Sequence, residues 1–248
     1  MTIKPIKAFK VLFGLDNQQT AFPPDFEAIH HTIINKVRPF TMTSPERLYG
    51  LIESVQYVVK QQIPGAMVEC GVWKGGSMMA IAETLLALGD TARDLYLYDT
   101  FEGMTAPTEA DIDQLNRDAA SQLKQDANKK LDSVVWAYSG LDEVKKNIAS
   151  TGYPADKIHF VQGDILKTIP ETLPGQTALL RLDTDWYEST KHEMEQLYPL
   201  LVSKGVLIID DYGFWKGSRK AVDEYLAANQ IGILLHRMDE TGRSAIKP

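Results

Sequence analysis

Five short apolar runs constrain this chain more than any other feature of its sequence. They cover residues 66–72, 94–99, 158–161, 178–182 and 205–209, and each ends in a polar turn carrying glycine or aspartate. Helix-period stretches separate most of them. Strands that alternate with helices form a mainly parallel sheet covered on both faces. Ligands of such sheets bind beyond the carboxyl ends of the strands, and those ends are where the polar turns fall.

The elements between the runs follow from local chemistry. Ser44-Pro45 opens a helix: the serine caps it, and proline suits the first turn, where its missing N–H costs nothing. Leu48, Leu51, Ile52, Val55, Val58 and Val59 then recur at helical spacing. Ser139-Gly-Leu-Asp142 resembles a capping box, with Leu141, Val144 and Ile148 on one face, and Gly152 and Pro154 stop that helix. Residues 188–201 read as helix, bent or ended by Pro199. Ser218 opens another, with Val222, Tyr225, Leu226 and Asn229 on one side. Residues 233–238 and 244–247 flank Asp239-Glu-Thr-Gly242 and predict a terminal hairpin. Residues 1–43, broken by Pro23-Pro24 and Pro39, read as irregular. Residues 104–138 read as helix and mobile loop.

Composition narrows the function. The chain has 248 residues, a length that suits one domain with elaborations. Acidic residues outnumber basic ones by 33 to 26, with no Lys/Arg block, which argues against a phosphate-backbone partner. Cys70 is the one cysteine, so neither an intramolecular disulfide nor a cysteine-based zinc site is expected. No stretch approaches the ~20 apolar residues of a spanning helix. The apolar run at 9–15 is too short, and too interrupted, for a signal core. A soluble, cytoplasmic protein with no membrane partner is expected.

The turn after the first run reads Glu69-Cys-Gly71-Val-Trp-Lys-Gly75-Gly76-Ser77. It lacks the lysine of a P-loop and the Gly-x-Gly-x-x-Gly of a dinucleotide site. By itself, acid-x-Gly-x-x-x-Gly also describes a plain strand-to-helix turn. Its context adds Asp99 at the end of the next run, where a carboxylate takes ribose hydroxyls, and Gly163-Asp164 at the end of the third, where an adenine edge would be read. Together they suit an adenosyl ligand.

The fourth and fifth runs end in Asp183-Thr-Asp185 and Asp210-Asp211. Four converging carboxylates repel unless a cation neutralises them. Oxygen ligands without cysteine point to a hard ion, Mg²⁺ before Mn²⁺ or Ca²⁺. Turn formation and helix capping are the plainer explanation for any one of these aspartates. Asp183-x-Asp185 also fits the metal motif of a glycosyltransferase using a nucleotide sugar, and a non-catalytic adenosyl-binding protein is a third possibility. The glycine loop and Asp99 favour the adenosyl reading over the nucleotide sugar.

Five segments carry a resemblance: TMTSPERLYGLIESV (41–55), VECGVWKGGSMMAIA (68–82), LYLYDTFEGM (95–104), RLDTDWYEST (181–190) and VLIIDDYGFWKGSRKAVDEY (206–225). In combination they resemble the macrocin O-methyltransferase family, from about residue 39 to the C-terminus. The resemblance implies a Rossmann-like class I methyltransferase fold. It also implies S-adenosylmethionine and Mg²⁺ as cofactors, and methylation of a sugar or phenolic hydroxyl of a small natural product. Carried over by position, Asp183, Asp210 and Asp211 would hold the metal and Asp185 would be the general base. Glu69, Gly71 and Ser77 would hold the methionine end, Asp99 the ribose, and Asp164 the adenine side. Thr43, Ser44 and Arg47 would close the cofactor site. The implied organisation is an N-terminal extension or lid (1–43) before a catalytic domain (44–248) whose acceptor region lies at about 104–138. Residues 1–38 and 105–138 depart from the family, which leaves the acceptor open. A small-molecule hydroxyl acceptor and a homo-oligomer are the expected partners.

Among the remaining polar residues, His30-His31 read as a surface pair, with an acceptor contact as the alternative. His192 reads as a helix-surface residue, with a second base as the alternative. Trp73 and Trp215 flank the expected cleft.

Overall fold

The computed structural model describes residues 22–129 and 131–248. Seven strands form one sheet: β1 (Ala66–Cys70), β2 (Leu95–Asp99), β3 (Ile158–Gln162), β4 (Thr177–Leu182), β5 (Leu201–Ile209), β6 (His236–Arg237) and β7 (Arg243–Ile246). Their order is β3-β2-β1-β4-β5-β7-β6. The first five are parallel, and β7 runs antiparallel to β5 and β6. The expected closing hairpin is therefore present.

Period-2 alternation sorts the sheet side chains into two cores. Met67, Leu95, Leu97, Leu179 and Ile208 point to one face, with α1 (Ala28–Val37), α2 (Pro45–Lys60), α3 (Gly76–Ala87) and α5 (Leu141–Ala149). Val68, Cys70, Leu180, Leu182, Leu207 and Ile209 point to the other, with α6 (Ile165–Glu171), α7 (Tyr187–Gln196) and α8 (Lys216–Ala228). The central strands are buried on both faces, which is why they read as continuous apolar runs rather than alternating ones. Each fully buried Leu, Ile or Met adds about 1.5–3 kcal/mol.

Helix α2 forms as its sequence dictates. Ser44 Oγ accepts from Arg47 N at 3.1 Å, with Pro45 in the first turn. Leu48, Leu51, Ile52, Val55 and Val58 make the buried stripe.

Several boundaries differ from expectation. The part of the N-terminal extension within the described residues is not irregular, since α1 occupies Ala28–Val37 and buries Ile33, Ile34 and Val37. Pro23-Pro24 and Pro39 bound that helix instead of breaking it. Residues 1–21 of the expected extension lie outside the described residues. Ser139 does not cap α5: Gly140 is the N-cap, and Ser139 Oγ donates to Glu143 Oε2. Helix α7 stops at Gln196, and Pro199 sits in a 3₁₀ turn, Tyr198–Leu200, so that β5 starts at Leu201. Helix α8 starts at Lys216, two residues before Ser218.

The 104–138 region contains α4 (Ala119–Gln125) and a loop pinned by two fully buried aspartates. Asp111 accepts from Thr108 N and Oγ1 and from Tyr187 N at the start of α7. Asp113 accepts from Leu115 N, Arg117 N and the Arg117 guanidinium. No described helix is long and apolar enough to cross a membrane.

Candidate active site

One cavity of about 420 Å³ opens at the carboxyl ends of β1, β2 and β4, a volume within the usual range of small-molecule sites. The strand order reverses between β1 and β4, and such switch points are where open parallel sheets bind ligands. The two chain turns at this point touch. Gly71 has φ +80, and a Cβ built on it would lie 2.0 Å from the Asp183 carbonyl oxygen. Only glycine allows both the left-handed conformation and that approach. The glycine loop and the first aspartate turn are thereby locked into one surface, with Asp183 N donating to Cys70 O at 2.8 Å.

The side of the cavity where the cofactor was expected centres on Glu69, which lines it at 1% exposure. Its Oε1 accepts from Arg181 Nη1 at 2.6 Å. Its Oε2 is buried without a hydrogen-bond partner. An orphaned carboxylate oxygen facing a cavity calls for a cationic donor, and the α-ammonium of a methionine moiety fits. Burial pushes the Glu69 carboxyl up to about 7 against the opposing pull of Arg181. Ser77 lies on the wall in the first turn of α3, with its Oγ 3.5 Å from Thr43 Oγ1.

Asp99 also lines the cavity, but much of its capacity is spent on backbone. Oδ2 accepts from Val72 N and Trp73 N, and Oδ1 from Phe101 N. It therefore shapes the glycine loop from beneath, whatever it offers a ribose. Burial raises its pKa and those three bonds oppose the rise. Asp164 caps α6 through Leu166 N and lies on the cavity wall, where an adenine contact was expected.

The acidic side departs from expectation in one respect. Asp183, Asp185 and Asp211 each present an oxygen within 4.8 Å of the others. Asp210, expected beside them, is turned onto two guanidinium groups: Oδ1 accepts from Arg181 Nη2 at 2.5 Å, and Oδ2 accepts from Arg47 Nη1. The physical cause is local neutralisation, because both arginines are buried and need an anion. Asp211 Oδ2 is buried without a partner. Three crowded carboxylates, one with an orphaned oxygen, fit the all-oxygen donor chemistry of a hard divalent cation.

Burial, then the neighbouring Asp183 and Asp210, push Asp185 up to about 7, against hydrogen bonds from Asp211 and Trp215. Burial likewise raises Asp183 and Asp211 well above the ordinary carboxylate range. Asp185 adopts φ +68, a left-handed conformation that non-glycine residues seldom take and that aspartate takes more readily than most. It turns the carboxylate toward its neighbours instead of capping α7, whose N-cap is Trp186.

Of the residues expected to close the site, Thr43 and Arg47 reach the cavity. Ser44 does not, because its hydroxyl caps α2 and donates to Asp239 Oδ2 at 2.6 Å. His30 is buried in α1 between Glu27 N and Glu53 Oε1, so it is not a surface residue, and His31 donates to the Phe26 carbonyl. Neither lines the cavity. His192 donates to the Ile169 carbonyl and does not line the cavity, so it is not placed to act as a second base there. Trp73 and Trp215 both line the cavity; Trp215 packs edge-on against Trp186 at 5.0 Å.

Sequence reasoning gave no role to Arg181 or Glu193. Arg181, 1% exposed and one residue before the end of β4, contacts Glu69, Asp183, Asp210 and Thr43. The available signal was a lone arginine inside an apolar strand, since a buried charge requires partners. Glu193 is fully buried beneath the aspartate turn and accepts from Thr184 Oγ1.

Comparison with known proteins points the same way. Residues 27–244 match the family model described as Macrocin-O-methyltransferase (TylF). A curated relative from Streptomyces olivaceus is 36% identical over 82% of this chain and 73% of its own length. It is an 8-demethyl-8-(2,3-dimethoxy-alpha-L-rhamnosyl)-tetracenomycin-C 4'-O-methyltransferase. The demethyldecarbamoylnovobiocin O-methyltransferase of Streptomyces niveus is 28% identical over 94% of this chain and 88% of its own. Among solved structures, the O-methyltransferase NovP superposes with a TM-score of 0.74 at 27% identity, covering 98% of this chain and 97% of that one.

Proposed function

The chain belongs to the macrocin O-methyltransferase family and is an S-adenosylmethionine-dependent O-methyltransferase; from that premise we propose that it methylates a sugar hydroxyl of a glycosylated natural product, with the help of a divalent cation and Asp185 as base. The observation that carries this reading is a single cavity with two kinds of unmet demand. Glu69 Oε2 lacks a cationic donor, and the Asp183, Asp185 and Asp211 carboxylates crowd together with Arg181 paired to Asp183 alone and Asp211 Oδ2 unpartnered.

Glu69 Oε2 takes the ammonium of the cofactor, and the glycine loop, held from beneath by Asp99, lets the methionine end approach the backbone. Asp183 and Asp211 would hold the cation, and Asp210, kept by its two arginines, would stay at their side. When bound, the cation would lower the pKa of an acceptor hydroxyl. Asp185, beside Asp183 and Asp211, would take the hydroxyl proton as the oxygen attacks the methyl group and S-adenosylhomocysteine leaves. The transfer is a direct displacement, so positioning carries most of the catalysis. The 36% identical relative, which by its name methylates a rhamnosyl compound, supports a sugar as the acceptor.

Methyl-labelled cofactor incubated with a panel of glycosides and phenols, with Mg²⁺ or with chelator, tests the proposal. Label on a glycoside hydroxyl that disappears in chelator is expected. Transfer that persists undiminished in chelator refutes the metal, and transfer to phenols alone refutes the sugar acceptor.

A further inference from the structure

Arg181 sits where the cofactor side and the acidic side of the cavity meet. It lies in register with Glu69 on the neighbouring strand, two residues before Asp183 on its own. Both terminal nitrogens of its guanidinium donate twice. Nη1 donates to Glu69 Oε1 and to Asp183 Oδ2, both at 2.6 Å. Nη2 donates to Asp210 Oδ1 at 2.5 Å and to Thr43 Oγ1 at 3.1 Å. On Glu69 this contact decides which oxygen is left over: Oε1 is occupied and Oε2 stays bare. On Asp183 it occupies Oδ2 and leaves the other oxygen for the acidic cluster.

We propose that Arg181 is a positioning residue that presents the cofactor-binding and cation-binding carboxylates together, so that the two sites are set by one buried guanidinium. The inference rests on the functional reading above. Planarity is the reason for an arginine: its fork fixes several acceptors at once, whereas a lysine ammonium is a single point charge on a flexible stem. Removing the fork takes away the donor that Glu69 and Asp183 share, so the two carboxylates repel and both sites lose their alignment at once. Thr43 extends the same arrangement to the N-terminal segment that covers the glycine loop.

The test measures binding, not turnover. Binding of S-adenosylhomocysteine is followed by calorimetry in chelator, and binding of Mn²⁺ by its free-ion resonance signal without cofactor. Arg181→Lys, which keeps the charge, is expected to weaken both at least tenfold while the variant stays folded by circular dichroism. A folded variant that keeps either affinity within twofold of wild type overturns the proposal.

Two cross-effects carry the test if that variant does not fold. Glu69→Gln, outside the acidic cluster, is expected to weaken Mn²⁺ at least threefold. Asp183→Asn is expected to weaken S-adenosylhomocysteine at least threefold in chelator. Asp185→Asn, which removes the same charge from the same cavity without touching Arg181, is expected to have a smaller effect on S-adenosylhomocysteine than Asp183→Asn. Equal effects of the two aspartate variants would mean a general field and would overturn the proposal. Wild-type protein that binds neither probe overturns the functional reading and this inference with it; wild-type binding without cross-effects overturns the inference alone.

Discussion

Gly71→Ala probes the contact that joins the two halves of the site. The added Cβ would lie 2.0 Å from the Asp183 carbonyl oxygen and 2.6 Å from its carbon, at φ +80. The left-handed conformation alone costs roughly 1–2 kcal/mol for a residue with a side chain. The contact cannot be relieved by a rotamer change, because the obstacle is backbone. The ends of β1 and β4 must separate by roughly 1 Å or more, and a displacement of ~1 Å at a reacting centre costs about 10²-fold in rate. Stability should fall by at least the conformational cost, roughly 2–8 °C in Tm at about 2–4 °C per kcal/mol for a chain of this size. Calorimetric titration with S-adenosylhomocysteine, a thermal melt and labelled-methyl transfer read the three effects. Cofactor affinity is expected to drop at least tenfold and transfer about a hundredfold. Cofactor affinity and transfer both within threefold of wild type would refute the argument that this glycine sets the geometry.

Other substitutions test separate parts of the account. Asp185→Asn should leave cofactor affinity intact and reduce transfer by about 10²–10⁴; single-turnover rates check it, and an unchanged rate removes Asp185 as base. Arg47→Ala takes one guanidinium from Asp210, which keeps Arg181, and one from Asp239, which keeps Ser44 Oγ and two backbone N–H groups. Losing hydrogen bonds to charged groups costs about 1.5–3 kcal/mol, and denaturant melts that show a loss below about 0.5 kcal/mol would contradict this. Burial pushes Glu193 up to about 8 from 4.5. The folded chain therefore holds a proton that the unfolded chain has released across that window, so the Glu193 contribution to stability declines as pH rises from about 4.5 through 8. Glu193→Gln should flatten the dependence of Tm on pH between 5 and 9, and a slope equal to wild type would sink the assignment.

The parallel core was legible because its central strands are buried on both faces and so read as mostly apolar runs. The polar turns at 69–77, 99, 164, 183–185 and 210–211 were legible for a related reason: carboxylates and glycines at strand ends have few structural uses in common. Helix α1 was obscured by its prolines, although Ile33, Ile34 and Val37 already carried its spacing. The partner of each carboxylate was not legible, since Arg181 and Arg47 come from a central strand and a distant helix, and only the fold shows that Asp210 takes both. Ser44 shows the same limit in reverse. Its cap was readable from Ser44-Pro45, but the sequence did not reveal that capping and Asp239 together keep it from the cavity. Family membership also sets aside the glycosyltransferase alternative raised by Asp183-x-Asp185.

The most direct measurement is calorimetric binding of S-adenosylmethionine to wild type and Glu69→Gln, each with Mg²⁺ and with chelator. The account predicts micromolar affinity for wild type in both conditions, about −8 kcal/mol, and a loss of at least tenfold in Glu69→Gln. Absence of binding to wild type in both conditions would contradict the assignment of this cavity to the adenosyl cofactor.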